Sequence, residues 1–191
     1  MRRIAREFIL PAMVALGLAF VIQSALAKPY EIPTRSMVPT IQAHDRVIAN
    51  RLVYRFRDIR RGDIIVFTPP PAAIASCGQP AGNVPFVKRV IGLPGDLVEV
   101  VRGGPTLVNG TPLTVKGPLA NPYGRRFVRV PGDHILVLGD NRGDSCDSHE
   151  WGRQGDGQVA NPAVDPFVPI SSVIGQAEIT YWPLTRVSFL N

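Results

Sequence analysis

Apolar residues are distributed along this chain in two ways, first as one long run and then as short segments. Residues 8–27, "FILPAMVALGLAFVIQSALA", contain no charged side chain. As a helix that rises about 1.5 Å per residue, such a run spans about the 30 Å of a bilayer's hydrocarbon core. The later apolar stretches are short and are separated by glycine and proline, which is typical of strands and turns. The pattern therefore predicts an N-terminal transmembrane helix followed by a β domain.

The β domain is predicted to be all-β and mainly antiparallel, because nineteen prolines and eighteen glycines favour many turns over a helical bundle. The segment 68–85 is rich in proline and is predicted to be a loop. Strands are predicted over 46–56, 61–67, 86–93 and 173–182, two more lie within 125–141, and a hairpin that turns at Asn109-Gly110 covers 97–113. We expect two parts, a cytoplasmic tail with its anchor over 1–27 and one exported domain over 28–191.

The charges that flank the apolar run predict its orientation in a membrane. Three arginines lie within the first six residues, whereas Lys28, Glu31 and Arg35 follow the run. The positive-inside rule then places the N-terminus in the cytoplasm and the domain outside. The competing interpretation is a cleaved signal peptide, because "ALA" stands directly before Lys28. A retained anchor is favoured, since twenty uncharged residues exceed the usual apolar core of such a peptide, about 7–15 residues.

The net charge of the exported part limits its predicted partners, and its two cysteines raise the question of a disulfide. Its net charge is +4, because the whole chain has a net charge of +6 and the first 27 residues, with three arginines and one glutamate, account for +2 of it. This mild excess favours an anionic membrane surface and is too small to indicate nucleic acid. The arginine-rich segment 51–61 is accordingly interpreted as a solvated surface near lipid head groups, and no nucleic-acid partner is predicted. Cys77 and Cys146 are compatible with one disulfide or with two free thiols.

Two residues in separate segments carry candidate chemistry. Ser36 stands in "EIPTRSMVPTI", residues 31–41, and its hydroxyl becomes a nucleophile only if a base removes the proton. On these residues alone, a structural serine in a turn before Pro39 is the favoured interpretation. Lys88 stands amid apolar residues in "FVKRVIGL", where desolvation would lower its pKa and permit a Ser-Lys pair. Strand alternation leaves open whether Lys88 faces the interior or the solvent.

The segment 139–152, "GDNRGDSCDSHEWG", predicts a loop dense in side-chain hydrogen bonds, which is a typical place for site residues. Calcium binding is disfavoured, because the spacing lacks the glycine and the terminal glutamate of an EF-hand loop. A Ser-His-Asp triad is the weaker hydrolase hypothesis, since Ser36 lacks a G-x-S-x-G elbow. Such a triad would draw on His44, His134 or His149 and on Asp140 or Asp147.

Four ordered motifs resemble those of bacterial type I signal peptidases, which are membrane-anchored serine proteases. They are "IPTRSMVPT", "RGDIIVF", "VKRVIGLPGD" and "GDNRGDSCDSHEWG", all between residues 32 and 152. The resemblance implies that Ser36 is the nucleophile and Lys88 the general base. It implies that the Thr34 hydroxyl and the Ser36 N–H form the oxyanion hole, and that Ser145, which orients Lys88, and Asp147 support catalysis. It also implies a mainly antiparallel β fold, cleavage after Ala-X-Ala, and no metal or cofactor.

The function implied by this resemblance is removal of signal peptides from exported preproteins. The site would be the outer face of a bacterial cytoplasmic membrane, with the lipid bilayer as a partner and the secretion translocon nearby. Two alternatives remain: a specialised peptidase that matures pilin in a conjugation system, and a membrane-anchored domain that binds exported chains or lipid without cutting them.

Three departures from the family pattern accompany the resemblance. Thr34 and Arg35 stand where serine and glycine are common, so a hydroxyl is retained beside a bulkier neighbour. His149 replaces the usual arginine, so an ion pair with Asp147 would depend on pH. The segment 153–167 is an insertion, which we predict to be a surface loop.

Overall fold

A computed structural model describes most of residues 28–191 and a portion of the apolar run. The described residues are 8–9, 11–17, 26–78, 84–115, 117–118, 120–127, 129–152 and 166–190. Residues 11–17 are helical, while much of the predicted anchor and most of the predicted insertion loop lie outside the described residues. Within the described ranges, no helix has the length and apolar character needed to span a bilayer.

Twelve strands form two antiparallel sheets in the described part of the chain, which confirms the mainly antiparallel β fold. The larger sheet has the order β1-β2-β11-β3-β4-β9-β10, with β12 also paired to β11, and the smaller sheet has the order β7-β6-β5-β8. The strands are β1 (Ala27–Glu31), β2 (Arg46–Asn50), β3 (Ile64–Phe67), β4 (Phe86–Gly92), β5 (Val98–Val100), β6 (Thr106–Val108), β7 (Thr111–Pro112), β8 (Arg125–Arg126), β9 (His134–Leu138), β10 (Val168–Pro169), β11 (Val173–Trp182) and β12 (Ser188–Phe189).

Strand β11 lies in the middle of the larger sheet although it comes late in the sequence. Ala177 pairs with Ala49 of β2, and Gln176 pairs with Ile65 of β3. Because both edges of β11 are occupied, the pair β1–β2 is joined to the pair β3–β4 through this strand. The strand predicted over 173–182 is confirmed, and its central position is set by tertiary pairing.

The smaller sheet contains the predicted hairpin. Asn109 and Gly110 have φ angles of 52° and 82°, and both therefore occupy the left-handed region. Two consecutive positive φ angles are the requirement of a type I′ turn, which Asn-Gly satisfies with little strain. The turn joins β6 to β7, so this prediction is confirmed.

Two segments differ from the predicted strand and loop. The strand predicted over 46–56 ends at Asn50, whose side-chain oxygen accepts hydrogen bonds from the backbone N–H groups of Leu52 and Val53. These bonds turn the chain into a short helix, Val53–Phe56. The predicted loop 68–85 contains a helix, Pro71–Ser76, which begins with proline at a position where the missing N–H costs little.

The hydrophobic core anchors two loops, the turn that carries Ser36 and the loop 139–152. Met37 and Ile41, which follow Ser36, are fully buried in one apolar cluster. Trp151, at the end of the loop 139–152, is fully buried against Phe67 at a ring-centroid distance of 6.2 Å. Cys77 and Cys146 form a disulfide, which resolves the question that the sequence left open and ties this loop to the end of the helix Pro71–Ser76.

Candidate active site

Ser36 and Lys88 meet at one wall of a groove. Lys88 lies on β4 opposite Ile65 of β3, and its Nζ donates a hydrogen bond of 2.6 Å to Ser36 Oγ. Both residues are only 5% exposed. Alternation could not decide which way Lys88 faces, and the structure shows that it faces the interior.

The environment of Lys88 favours the neutral amine. Burial lowers the pKa of Lys88 from 10.5 to about 8, and the negative charges of Asp147, Asp140 and Asp144 oppose this shift without cancelling it. No carboxylate in the described part of the chain forms an ion pair with Lys88. Desolvation without a paired carboxylate is the condition under which a lysine can act as a base near neutral pH.

Two donors stand beside the Ser36 hydroxyl. Thr34 Oγ1 lies 3.2 Å from Ser36 Oγ, within hydrogen-bonding distance. The Ser36 backbone N–H donates to no acceptor among the described residues, so it is available to a substrate oxygen. Thr34 and Arg35 both line the groove. The side chain of Arg35 is thus accommodated beside the serine.

The loop 139–152 packs directly against the turn that carries Ser36. The N–H of Asn141 donates to the Ser36 carbonyl at 3.0 Å. A Cβ at Gly139 would lie 2.5 Å from that carbonyl oxygen and 2.2 Å from Ser145 Oγ. Since no side chain fits in this space, glycine at position 139 is what permits the close approach of the two segments.

Ser145 and Asp147 extend the site behind Lys88. Ser145 Oγ donates to Asp147 Oδ2 at 2.6 Å, and the Gly139 N–H donates to the same oxygen at 2.7 Å. The hydrogen bond of the Lys88 amine goes to Ser36, and no bond joins Ser145 to Lys88 in the described chain. Ser145 therefore contacts the acid, although it lines the same groove as Lys88.

His149 links Asp147 to a second carboxylate. Its Nδ1 lies 2.8 Å from Asp147 Oδ1, its Nε2 lies 2.8 Å from Glu150 Oε1, and its ring stacks on Tyr123 at 3.8 Å. Burial alone would raise the pKa of Asp147, but the hydrogen bond and charge of His149 and the charge of Lys88 hold it below its usual value. The contact expected between positions 147 and 149 is present, with imidazole in place of guanidinium.

The opposite face of β4 carries a buried ion pair that the sequence reasoning missed. Arg89 donates to both carboxylate oxygens of Asp140, at 2.7 and 2.6 Å, and to the Gly62 carbonyl at 2.8 Å. Thr40 donates to the same carboxylate. The signal available in the sequence was a second cation next to Lys88 on an apolar strand, together with an aspartate in "GDN".

Each of the three histidines considered for a triad contacts a carboxylate, but a triad also requires a contact with Ser36. His44 contacts Glu31, His134 contacts Asp133, and His149 contacts Asp147. None of them bonds to Ser36 within the described ranges. The titratable side chain that hydrogen-bonds to the Ser36 hydroxyl among the described residues is that of Lys88.

The groove in front of Ser36 has a volume of about 720 Å³. The lining of the groove includes the apolar residues Ile32, Val84 and Phe86, and the loop 139–152 contributes Asp144 and Glu150. Its size is that of a pocket able to take several residues of an extended chain. Among the described residues, no group of histidines, cysteines or carboxylates is arranged to hold a metal ion.

Comparison with known proteins places this geometry in a family. The family model described as "Signal peptidase, peptidase S26" matches residues 5–182. The chain is 41% identical to signal peptidase I of Leptolyngbya laminosa over 184 residues, which cover 95% of this chain and 79% of that protein. It is 41% identical to the probable signal peptidase I-2 of Synechocystis over 181 residues, or 93% and 73% of the two chains. Signal peptidase I of Mycobacterium tuberculosis (strain ATCC 25618 / H37Rv) is 32% identical over 231 residues, with 97% and 75% covered.

The fold and the groove thus define a serine endopeptidase. The chain belongs to the signal peptidase family, peptidase S26.

Proposed function

We propose that this protein removes N-terminal signal peptides from exported preproteins, with Ser36 as the nucleophile and Lys88 as the general base. The observation that carries the proposal is the 2.6 Å hydrogen bond from Lys88 Nζ to Ser36 Oγ. It joins a buried lysine, with a pKa lowered to about 8, to a hydroxyl that faces a peptide-sized groove. The names of the relatives support the substrate class.

The proposed reaction follows from these positions. The neutral Lys88 amine takes the Ser36 proton while Oγ attacks the scissile carbonyl carbon. The oxyanion that forms accepts hydrogen bonds from the Ser36 N–H and the Thr34 hydroxyl, and each donor contributes about 3 kcal/mol of transition-state stabilisation. The Lys88 ammonium then gives its proton to the leaving amine, and a water activated by Lys88 hydrolyses the acyl-enzyme.

Ser145 and Asp147 are proposed as positioning residues for the base. The Ser145 hydroxyl donates to Asp147 and keeps its lone pairs available to an ammonium at Lys88. The Asp147 carboxylate is fully buried, and its negative charge stabilises the protonated state of Lys88 that forms during acylation. Both residues would therefore help the amine to accept the Ser36 proton.

Cleavage after small-X-small sequences is proposed from the walls of the groove. Ile32, Val84 and Phe86 line the same groove as Ser36, and in this proposal they limit the room for the side chain of the residue before the scissile bond. A groove with apolar walls favours alanine there over charged residues. A general peptidase of this kind and a specialised pilin-maturing one would share this feature, so the breadth of the substrate range separates them.

The proposed location is a bacterial cytoplasmic membrane, with one span, the N-terminus in the cytoplasm and the catalytic domain outside, near the secretion translocon. The uncharged run 8–27 and the arginines before it support this topology. The Cys77–Cys146 disulfide also fits, because such bonds persist in oxidising compartments.

The test is cleavage of a purified preprotein by the full-length protein in detergent, with the product identified by mass spectrometry. We expect one cut after a small-X-small sequence. Ser36→Ala should abolish it, whereas Ser188→Ala, which truncates an exposed serine of β12, should leave the rate unchanged. Full cleavage by Ser36→Ala would contradict the mechanism. Absence of cleavage in every variant, with binding of the preprotein retained, would favour the non-catalytic alternative.

A further inference from the structure

A second cavity lies apart from the groove, at the end of the larger sheet where β1 begins and β2 ends. Its volume is about 480 Å³, and it shares no residue with the groove in front of Ser36. The polar side chains in its wall are those of Arg51, Arg55, Thr68, Ser171 and Ser172. The proposed mechanism uses none of these residues.

The two arginines are available to an anionic ligand. Arg51 and Arg55 are exposed, and neither forms an ion pair with a carboxylate of the described chain. The nearby Arg57 and Arg61 differ, because they are paired with Asp63 at 2.8 Å and with Asp96 at 2.7 Å. Only part of the arginine-rich segment is therefore engaged in holding the fold together.

The hydroxyl groups complete a set of donors suited to a phosphate. Thr68 and Ser171 line the same cavity as the two arginines, while the Ser172 hydroxyl already donates to the Pro169 carbonyl at 2.7 Å. Guanidinium groups bind phosphate oxygens through two parallel hydrogen bonds, and hydroxyls add further donors. The cavity thus matches the chemistry of a phosphate group.

The walls of the cavity are held by backbone contacts. The Thr68 N–H donates to the Ser172 carbonyl at 3.0 Å, which joins the end of β3 to the segment before β11. A Cβ at Gly175 would lie 2.4 Å from the Asn50 carbonyl oxygen and 3.0 Å from the Arg51 Cα. β11 therefore packs closely against the backbone that carries Arg51.

The position of the cavity distinguishes a lipid from a free phosphate ion. The Arg51 N–H donates to the Leu26 carbonyl at 2.9 Å, so the cavity adjoins the end of the uncharged run 8–27. Phe56 and Ile170, each next in sequence to a lining residue, are 84% and 38% exposed. Cations together with exposed apolar side chains are typical of surfaces that contact anionic lipids.

We propose that this cavity binds the phosphate of an anionic phospholipid headgroup at the point where the chain leaves the bilayer. Arg51 and Arg55 bind the phosphate oxygens, Thr68 and Ser171 donate to them, and Phe56 and Ile170 contact the acyl region. The proposal rests on the proposed membrane anchoring and is independent of the Ser36/Lys88 chemistry. A bound headgroup at this position would fix the orientation of the domain relative to the membrane.

The test is lipid binding to the full-length protein in uncharged detergent, followed by native mass spectrometry during titration with short-chain phosphatidylglycerol. Removal of two cations near an anionic lipid surface weakens binding by about thirty-fold. We expect that loss for Arg51→Gln combined with Arg55→Gln. The matched control, Arg102→Gln combined with Arg126→Gln, removes the same charge from exposed positions outside the cavity and should bind as the unaltered protein does.

The remaining outcomes each bear on the proposal. Equal weakening in both double variants would show diffuse attraction to positive charge, and no weakening in either would place the lipid elsewhere; both overturn the proposed site. Phosphatidylcholine that binds as tightly as phosphatidylglycerol, or inorganic phosphate that competes at the same concentration, would overturn the assignment to an anionic lipid. Preprotein cleavage in the same detergent should persist in Arg51→Gln/Arg55→Gln and fail in Ser36→Ala, while Ser36→Ala keeps lipid binding. The lipid-binding proposal and the catalytic proposal can therefore be contradicted independently of each other.

Discussion

The two faces of β4 carry adjacent buried cations that have different hydrogen-bond partners. Lys88 and Arg89 are neighbours on one strand and are 5% and 3% exposed. Arg89 is held by the Asp140 carboxylate and the Gly62 carbonyl, whereas the hydrogen bond of Lys88 goes to the hydroxyl of Ser36. The two cations are therefore buried to a similar extent, but Arg89 is paired with a carboxylate and Lys88 with a hydroxyl.

The difference shows that the partner, more than the burial, decides what a buried cation does. An arginine keeps its charge in a protein, so a buried one requires an anion. A lysine can lose its proton instead, and burial without a paired carboxylate lowers its pKa toward the range where it acts as a base. One face of β4 therefore serves the stability of the fold, and the other serves the proposed chemistry.

The largest expected effect is on the cleavage rate, when position 88 is given an arginine like that at position 89. Lys88→Arg places a group that stays charged beside Ser36, so it removes the general base; we expect the rate of preprotein cleavage to fall by about 10⁴-fold. The measurement is the single-turnover rate, with circular dichroism to check that the fold is retained. Arg102→Lys, at an exposed position, is the control and should be neutral. A folded Lys88→Arg variant that cleaves at more than a tenth of the normal rate would rule out Lys88 as the base.

The second effect comes from removing the cation on the other face. Arg89→Leu leaves the Asp140 carboxylate buried without its partner, and we expect a loss of about 3–5 kcal/mol in the free energy of unfolding. Urea denaturation measures this loss. Arg89→Leu combined with Asp140→Leu should recover part of it, because no unpaired charge remains. If the double variant is less stable than Arg89→Leu alone, the ion pair is not the cause.

The smallest expected effect is a gradual change of the cleavage rate and of the stability with pH. With a pKa of about 8 for Lys88, the neutral fraction falls about tenfold for each pH unit below that value, and the cleavage rate should follow it. Stability should change in the same direction. The unfolded chain holds the Lys88 proton up to about pH 10.5 and the folded chain only up to about pH 8, so the free energy of unfolding rises between these values.

Lys88→Met provides the comparison for this pH dependence. The variant has no titrating amine, so the part of the rise in stability between pH 8 and 10.5 that belongs to Lys88 should be absent. Urea midpoints of the two proteins across this range make the measurement. Parallel pH curves for both proteins would argue against a lowered pKa, whereas a cleavage rate that stays level from pH 8 to pH 6 would argue against Lys88, with its pKa of about 8, as the base.

The sequence predicted the local features of this molecule better than the partnerships between distant residues. The type I′ turn follows from Asn109-Gly110, and β3, β4 and β11 follow from short apolar runs, because these depend on neighbours in the chain. The end of β2 was missed, since it depends on which backbone groups the Asn50 side chain reaches. No period or propensity contains that information.

The candidate site likewise combines features that the sequence predicted with contacts between distant residues that it did not. Ser36, Lys88, Thr34, Ser145 and Asp147 come together as the family motifs implied, although Ser145 bonds to Asp147 and not to Lys88. The pairing of Arg89 with Asp140 and the Cys77–Cys146 disulfide could not be derived, because each joins residues far apart in sequence. Such contacts depend on how the sheet closes, and the alternation along a single strand does not specify this.

The central position of β11 has a consequence for when the enzyme becomes active during folding. Ser36 lies between β1 and β2, whereas Lys88 lies on β4, and within the sheet these two halves are joined through residues 173–182. A growing chain that has not yet released this strand has both proposed catalytic residues but lacks the complete sheet that joins their two halves. The last long strand to be synthesised therefore completes the sheet. We expect an incompletely synthesised protease not to cleave the polypeptides around it.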